Sequence, residues 1–232
     1  TFRLNPAVNS PYNAEFDGDE MNLHIPQTEE AKAEAEILML VETQMISPRY
    51  GLSVIGCIQD AISGSYLLTR EGTQMTRNKA VDLLAAAGLT DFSRLARKDF
   101  VTGKEVFSAL LPPDFNFTGK SKSSKEPEVI IRNGHLTKGI MDSASLGHGS
   151  GLLLRNIHKR YGAKFSMDFL GKIFRLFAEY AEMRGFTTSI SDTDLNEDTR
   201  YQINALFDNA KREVEELIQQ MKRNELESFP GK

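Results

Sequence analysis

A chain of 232 residues that is 40% hydrophobic has room for one large domain or two small ones with a real core. Its formal net charge of −4 gives no overall attraction to nucleic acid, so any such contact must be local or come through a partner. The single cysteine, Cys57, excludes an internal disulfide and a cysteine-based zinc site, which fits a reducing, intracellular setting. No apolar run approaches the roughly 20 residues needed to cross a bilayer, and no secretory leader pattern opens the chain. Thr1 at the start and "SFPGK" at the end read as the two ends of a piece of a longer polypeptide.

In chain order, residues 1–27 carry little helical pattern; Pro6, Pro11, Gly18 and Pro26 read as extended chain and turns. Thr28 can cap a helix running to about residue 45, with Glu29 and Glu30 in the first turn where the helix dipole favours them, and Pro48 forbids its continuation. A second helix is expected over 54–68, with Ile58, Ala61 and Ile62 on one face and Cys57 within it as a buried structural thiol. Thr76 caps a third over 77–87, which Gly88 ends. "TGKE" at 102–105 has the form of a capping box opening a short helix before Pro112.

The pattern then changes. "GKSKSSKEPE" at 119–128 reads as an exposed basic loop. Lys120, Lys122 and Lys125 could touch phosphate, but the absence of interleaved aromatics favours simple solvation. "VIIRNGHLTKGI" at 129–140 reads as a hairpin, because Asn133-Gly134 supplies the positive backbone angles of a type I′ turn. "SLGHGSG" at 145–151 reads as a flexible link, and its His148 has no evident partner. A short helix follows over 152–161. A longer one over 164–184 places Phe165, Phe169, Ile173, Phe174, Phe177 and Ala181 on one face, with Asp168, Lys172, Arg175, Glu179 and Glu182 opposite. A final helix over about 196–227, roughly 45 Å long at 1.5 Å per residue, carries a narrow stripe from Ile203 to Met221, so much of it should face solvent or a partner. The fold class expected is α+β, predominantly helical, with a small β-hairpin component and a long C-terminal helix.

The most informative stretch is "YNAEFDGDEMNLH" at 12–24, which sets Glu15, Asp17, Asp19 and Glu20 within six residues. One reading is a solvated acidic turn. A calcium loop beginning at Glu15 fails where it is most constrained, since Glu20 stands where glycine is needed and Pro26 where glutamate is needed. In extended chain, residues 15, 17 and 19 project to one side roughly 7 Å apart. Gly18 between them lets the backbone curl, so that three hard oxygen donors could converge on a magnesium ion of the kind that serves phosphoryl or nucleotidyl transfer. His24 just beyond reads as a hydrogen-bonded structural histidine, because magnesium prefers oxygen.

"FRLNPAVNSPYNAEFDGDEMNLHIPQ" closely resembles the metal-binding segment of the largest subunit of multisubunit DNA-dependent RNA polymerases, in its archaeal and eukaryotic branch. "GCIQDAISGSYLLT" (56–69), "TGKEVFSALLP" (102–112), "NGHLTKGIMD" (133–142) and "RGFTTSISD" (184–192) resemble landmarks of the same subunit in the same order, as does the long helix leading to "LESFPG". The archaeal form, divided between two chains, is the most similar.

The resemblance implies a map: residues 1–26 as the tail of the active-site region, 27–190 as the pore region lining the nucleotide channel, and 191–232 as the start of the funnel, where transcript-cleavage factors dock. It also implies template-directed RNA synthesis in a cytoplasmic multisubunit complex, with a second-largest subunit, DNA template, RNA transcript and nucleoside triphosphates as partners, and Mg2+ as cofactor. By position, Glu15, Asp17 and Asp19 are the implied metal ligands and catalytic groups, and Asn13 the residue that contacts the nucleotide sugar. Gln59 and Asp60 are implied near the channel, with helix packing as the competing role. The family has aspartate where this chain has Glu15, whose extra methylene moves the carboxylate out by roughly 1.5 Å. The chain by itself is expected to be inactive. The competing reading is a non-catalytic scaffold piece that contacts subunits and lines a channel, with no functional metal site.

Overall fold

Proline and glycine cut this chain into short elements, and the apolar residues between them decide which elements stack. The computed structural model describes residues 1–122, 127–223 and 225. These divide into two units, 1–186 and 187–232.

The first unit opens with a 3-10 turn, Pro6–Val8, that runs into α1 (Asn9–Tyr12). Its anchor is Ala7, buried in the core cluster. α2 (Glu29–Ile37) starts where expected, with Thr28 Oγ1 accepting from the Ala31 N–H at 3.2 Å. It stops short of the expected end, and a 3-10 turn follows at Val41–Gln44. The reason is burial. No residue of α2 is buried, whereas Met45 is fully buried and Val41 packs on the core, so the chain leaves the helix to deliver them.

α3 (Gln59–Thr69) begins five residues later than the apolar pattern suggests. Residues 53–57 are instead extended and bridged to neighbours, Ser53 to Ile46 and Cys57 to Gly147. Cys57 is therefore buried but not helical. The backbones come so close there that a Cβ on Gly56 would lie 2.6 Å from Gly147. β1 (Gln74–Thr76), α4 (Arg77–Ala86), β2 (Phe100–Thr102) and α5 (Gly103–Ser108) follow, with β1 and β2 antiparallel. The capping box forms as expected: Thr102 Oγ1 accepts from the Glu105 N–H, and Glu105 Oε2 accepts from the Thr102 N–H at 2.8 Å.

β3 (Phe117–Lys120), β4 (Glu128–Arg132) and β5 (His135–Lys138) form an antiparallel sheet in that order. The expected hairpin is present, with Asn133 and Gly134 at φ +49° and +69°. The stretch expected as loop begins as the third strand, because Phe117 is buried and pairs with Ile131. Lys125 lies outside the described residues. "SLGHGSG" is not a flexible link over its first half: α6 (Ser143–Leu146) precedes Gly147, and Ser145, Leu146 and Gly147 are buried.

α7 (Leu152–Arg184) joins the two helices expected over 152–161 and 164–184, and its backbone breaks at Gly162. Phe169, Ile173 and Phe177 are buried as the periodicity implies, joined by Leu170, Leu176 and Tyr180. Phe165 lies at the edge, exposed and packed on Tyr161 at 5.1 Å. Arg175, expected on the solvent face, instead donates to the Ala87 carbonyl at 3.2 Å and ties α7 to the end of α4.

The centre of the unit is α3 sandwiched between α7 and the start of α5. Gly64 lets the α3 backbone meet that of Phe177, and Gly103 meets the Leu68 carbonyl; a Cβ at either would collide with backbone. Phe107 of α5 stacks on Phe177 at 5.9 Å. Each such side chain, fully buried, contributes roughly 1.5–3 kcal/mol.

In the second unit a 3-10 turn, Ile190–Thr193, precedes α8 (Glu197–Lys222), capped by Asn196 Oδ1 accepting from the Thr199 N–H at 2.7 Å. No residue of α8 is buried, in line with its narrow stripe. "LESFPG" lies outside the described residues. The whole is α+β, predominantly helical, with small antiparallel sheets and a long C-terminal helix. No helix among the described residues is long and apolar enough to cross a membrane.

Candidate functional site

The acidic loop leaves α1 through Asn13, which ends that helix in the left-handed conformation, at φ +47°, with its N–H returned to the carbonyls of Asn9 and Ser10. Asparagine tolerates this conformation better than most residues. The loop then closes on itself. Gly18, at φ +121°, supplies the reversal, and Asp19 Oδ2 accepts from the Glu15 N–H at 2.9 Å. Residues 15–20 are exposed throughout.

Beneath the loop lies an open cavity of about 1020 Å3. Asn13, Glu15 and Asp17 line one side, and Gln59, Lys122 and His148 complete it from other parts of the chain. Four segments that the sequence offers separately therefore meet at one place. Asp19 is not on the lining; its carboxylate is turned to the loop's own backbone. Asp60 is not on the lining either, and His24 is exposed with no hydrogen-bond partner among the described residues, rather than fixed by one. Gln59, at φ +46°, and Asn13 are two of the three non-glycine residues with positive φ among those described. Conformations of this kind gather at binding sites, where the surrounding structure holds them against their cost.

The side bearing Lys122 and His148 is built by a residue that the sequence reading passed over. Asp142 is buried and accepts four hydrogen bonds: from Ser121 Oγ (2.9 Å), the Lys122 N–H (2.6 Å), the Ala144 N–H (3.0 Å) and the Ser145 N–H (3.4 Å). It caps α6 and fixes the 121–122 segment in one act. Its local signal was the aspartate just before "SASL", an N-cap position. From the other direction, the Cys57 N–H donates to the Leu146 carbonyl at 2.8 Å and the Gly149 N–H to the Ser53 carbonyl at 2.7 Å, which seats His148 opposite Gln59. Cys57 itself is inert: burial pushes its thiol well above the usual range, so no thiolate is available.

The donor chemistry of the loop suits a hard cation, since all three side chains offer carboxylate oxygens and are open to solvent. The arrangement does not gather them: among the described residues no three carboxylate, histidine or cysteine groups come together as a metal site. Glu15 and Asp17 can present oxygens to the cavity, while Asp19 would have to release the Glu15 N–H to join them.

Residues 44–193 match the family model of RNA polymerase Rpb1, domain 3, and residues 1–41 match that of RNA polymerase Rpb1, domain 2. The DNA-directed RNA polymerase subunit Rpo1N of Methanococcus vannielii is 39% identical over an alignment that takes in 100% of this chain and 28% of the relative. Those of Methanothermobacter thermautotrophicus and Thermococcus celer are each 41% identical over 100% of this chain, and over 28% and 29% of the relative. The chain thus spans under a third of the length of the curated relatives it matches.

Proposed function

The chain belongs to the RNA polymerase Rpb1 family, and on that premise we propose that it forms part of the catalytic largest subunit of a DNA-directed RNA polymerase and acts in template-directed RNA synthesis. The observation that carries this reading is the shared wall of Asn13, Glu15 and Asp17 on one open cavity, in the loop with the family's acidic motif. In the assembled enzyme Glu15, Asp17 and Asp19 hold Mg2+. That ion, when bound, lowers the pKa of the attacking hydroxyl and offsets charge on the phosphate. Asn13, rigidly placed as the cap of α1, orients the nucleotide sugar from the same wall. Asp19 keeps the loop curled until the rest of the active site draws its carboxylate inward. Because the three acids are not gathered in this chain by itself, the isolated chain is inactive.

The same reading assigns residues 1–26 to the end of the active-site region, 27–190 to the pore region and 191–232 to the start of the funnel. Its partners are the other polymerase subunits including the second-largest, DNA template, RNA transcript, nucleoside triphosphates and, at the funnel, a transcript-cleavage factor. Its setting is cytoplasmic.

A second reading, a scaffold piece with no metal role, is favoured by the ungathered carboxylates and by Glu15 in place of the family's aspartate. Asp17→Asn in the reconstituted multisubunit enzyme separates the two. The catalytic reading expects magnesium-dependent incorporation to fall by about 100-fold or more with assembly intact, as misplaced catalytic geometry costs. Unchanged synthesis would establish the scaffold instead. Glu15→Asp refines the result: a strong rise marks Glu15 as a compromised ligand, and an unchanged rate means the loop backbone already compensates for the extra methylene.

A further inference from the structure

A second cavity, of about 560 Å3, opens where α3 and α7 both end, within the first unit. Arg70, just past the end of α3, and Arg184, in the last turn of α7, both line it. Tyr66 and Tyr180 line it between them. The partial negative charge at the two helix C-termini favours these cations, but their donors are hardly used. Arg70 makes no side-chain hydrogen bond or ion pair among the described residues, and Arg184 makes one long contact, Nη1 to the Gly185 carbonyl at 3.4 Å. Glu71, the one carboxylate on the lining, pairs with neither. Tyr180 is only 5% exposed, yet its hydroxyl has no partner among the described residues. A buried hydroxyl left open beside two open guanidinium forks is costly unless a ligand satisfies it.

We propose that this cleft binds a phosphate group, with Arg70 and Arg184 each donating a fork and Tyr180 donating its hydroxyl. Fork geometry selects this chemistry. A carboxylate has two oxygens and satisfies one guanidinium, whereas a phosphate offers three peripheral oxygens and can accept from two guanidiniums and a hydroxyl together. The phosphate could belong to a free nucleotide or to an RNA strand. The site is separate from the acidic loop, and its test reads binding, so it stands or falls independently of the metal assignment.

The test measures binding of a fluorescent single-stranded RNA decamer to the whole chain by anisotropy, with ATP and inorganic pyrophosphate as competitors. Saturable binding that Arg70→Ala/Arg184→Ala weakens by at least about tenfold supports the site. The same pair should lower the slope of log K against log salt by about 1.4, at about 0.7 per lost phosphate contact on a single strand. Competition by ATP or pyrophosphate at micromolar concentration identifies a free nucleotide as the source, and its absence identifies the strand. Arg70→Lys/Arg184→Lys keeps the charge and removes the forks, so it decides the matter even if the alanine pair does not fold. A clear loss with the lysine pair upholds the proposal; wild-type affinity in the lysine pair, or no saturable binding of any of the three probes by the unaltered chain, overturns it.

Discussion

On one side of the large cavity Asp142 is 8% exposed and accepts four hydrogen bonds; on the other, Asp19 is exposed and accepts one. Both carboxylates do the same job, capping backbone N–H groups so that a short segment holds its shape. They differ in what surrounds them. Asp142 is walled in by α6 and the 121–122 segment, where water cannot replace a lost partner, so its bonds are expensive to break. Asp19 competes with bulk water at every moment. The side carrying Lys122 and His148 is therefore set by the fold of this chain, while the acidic side keeps a form that an outside partner can change. That is the arrangement expected of a site completed by other parts of a larger assembly.

The comparison can be broken by substitution. Asp142→Ala should be the most damaging, at about 3 kcal/mol, because it strands several buried donors; chemical denaturation measures it, and a loss under 1 kcal/mol would show that this side is no better fixed than the other. Glu105 is the intermediate case, a partly exposed carboxylate in the capping box of α5. Glu105→Gln should cost about 1 kcal/mol. Burial raises the pKa of Glu105, but hydrogen bonds from Thr102 and the Lys98 ammonium, 2.9 Å away, outweigh it and hold the carboxyl below its usual range. A depressed carboxyl contributes stability that is full above its unfolded value, near 4.5, and is lost as pH falls through the folded value. Melting temperature followed from pH 6 to pH 3 should accordingly fall less steeply in Glu105→Gln. Asp19→Ala should be the mildest, within about 0.5 kcal/mol, as for exposed surface changes. A larger loss on the same denaturation curve would mean the acidic loop is fixed in the isolated chain after all.

Much of this was open to reading from the residues alone, and the parts that were share a cause. The capping box at 102–105, the Asn133-Gly134 turn, Thr28 as a cap and the stop at Gly185 are each decided within about four residues, by a hydrogen bond or a positive φ that only certain side chains provide. The acidic motif was legible for a different reason, since its sequence alone carries the family resemblance. What the residues could not show was which segments meet. Residues 53–57 carry an apolar pattern that suits a helix, but pairing with Leu146 and Gly147 makes them extended. "SLGHGSG" looks flexible, and the burial of Leu146 beneath it fixes its first half.

Local chemistry thus determined the caps, turns and donor set of this protein. Tertiary structure decided the rest: that Gln59, Lys122 and His148 face the acidic loop across one cavity, that Asp19 turns to its own backbone, and that Arg70 and Arg184 share a cleft. The physical reason is distance along the chain. A cap closes over four residues and needs nothing else, whereas each cavity joins residues from distant parts of the sequence, and only the burial of the apolar faces between them brings those residues together.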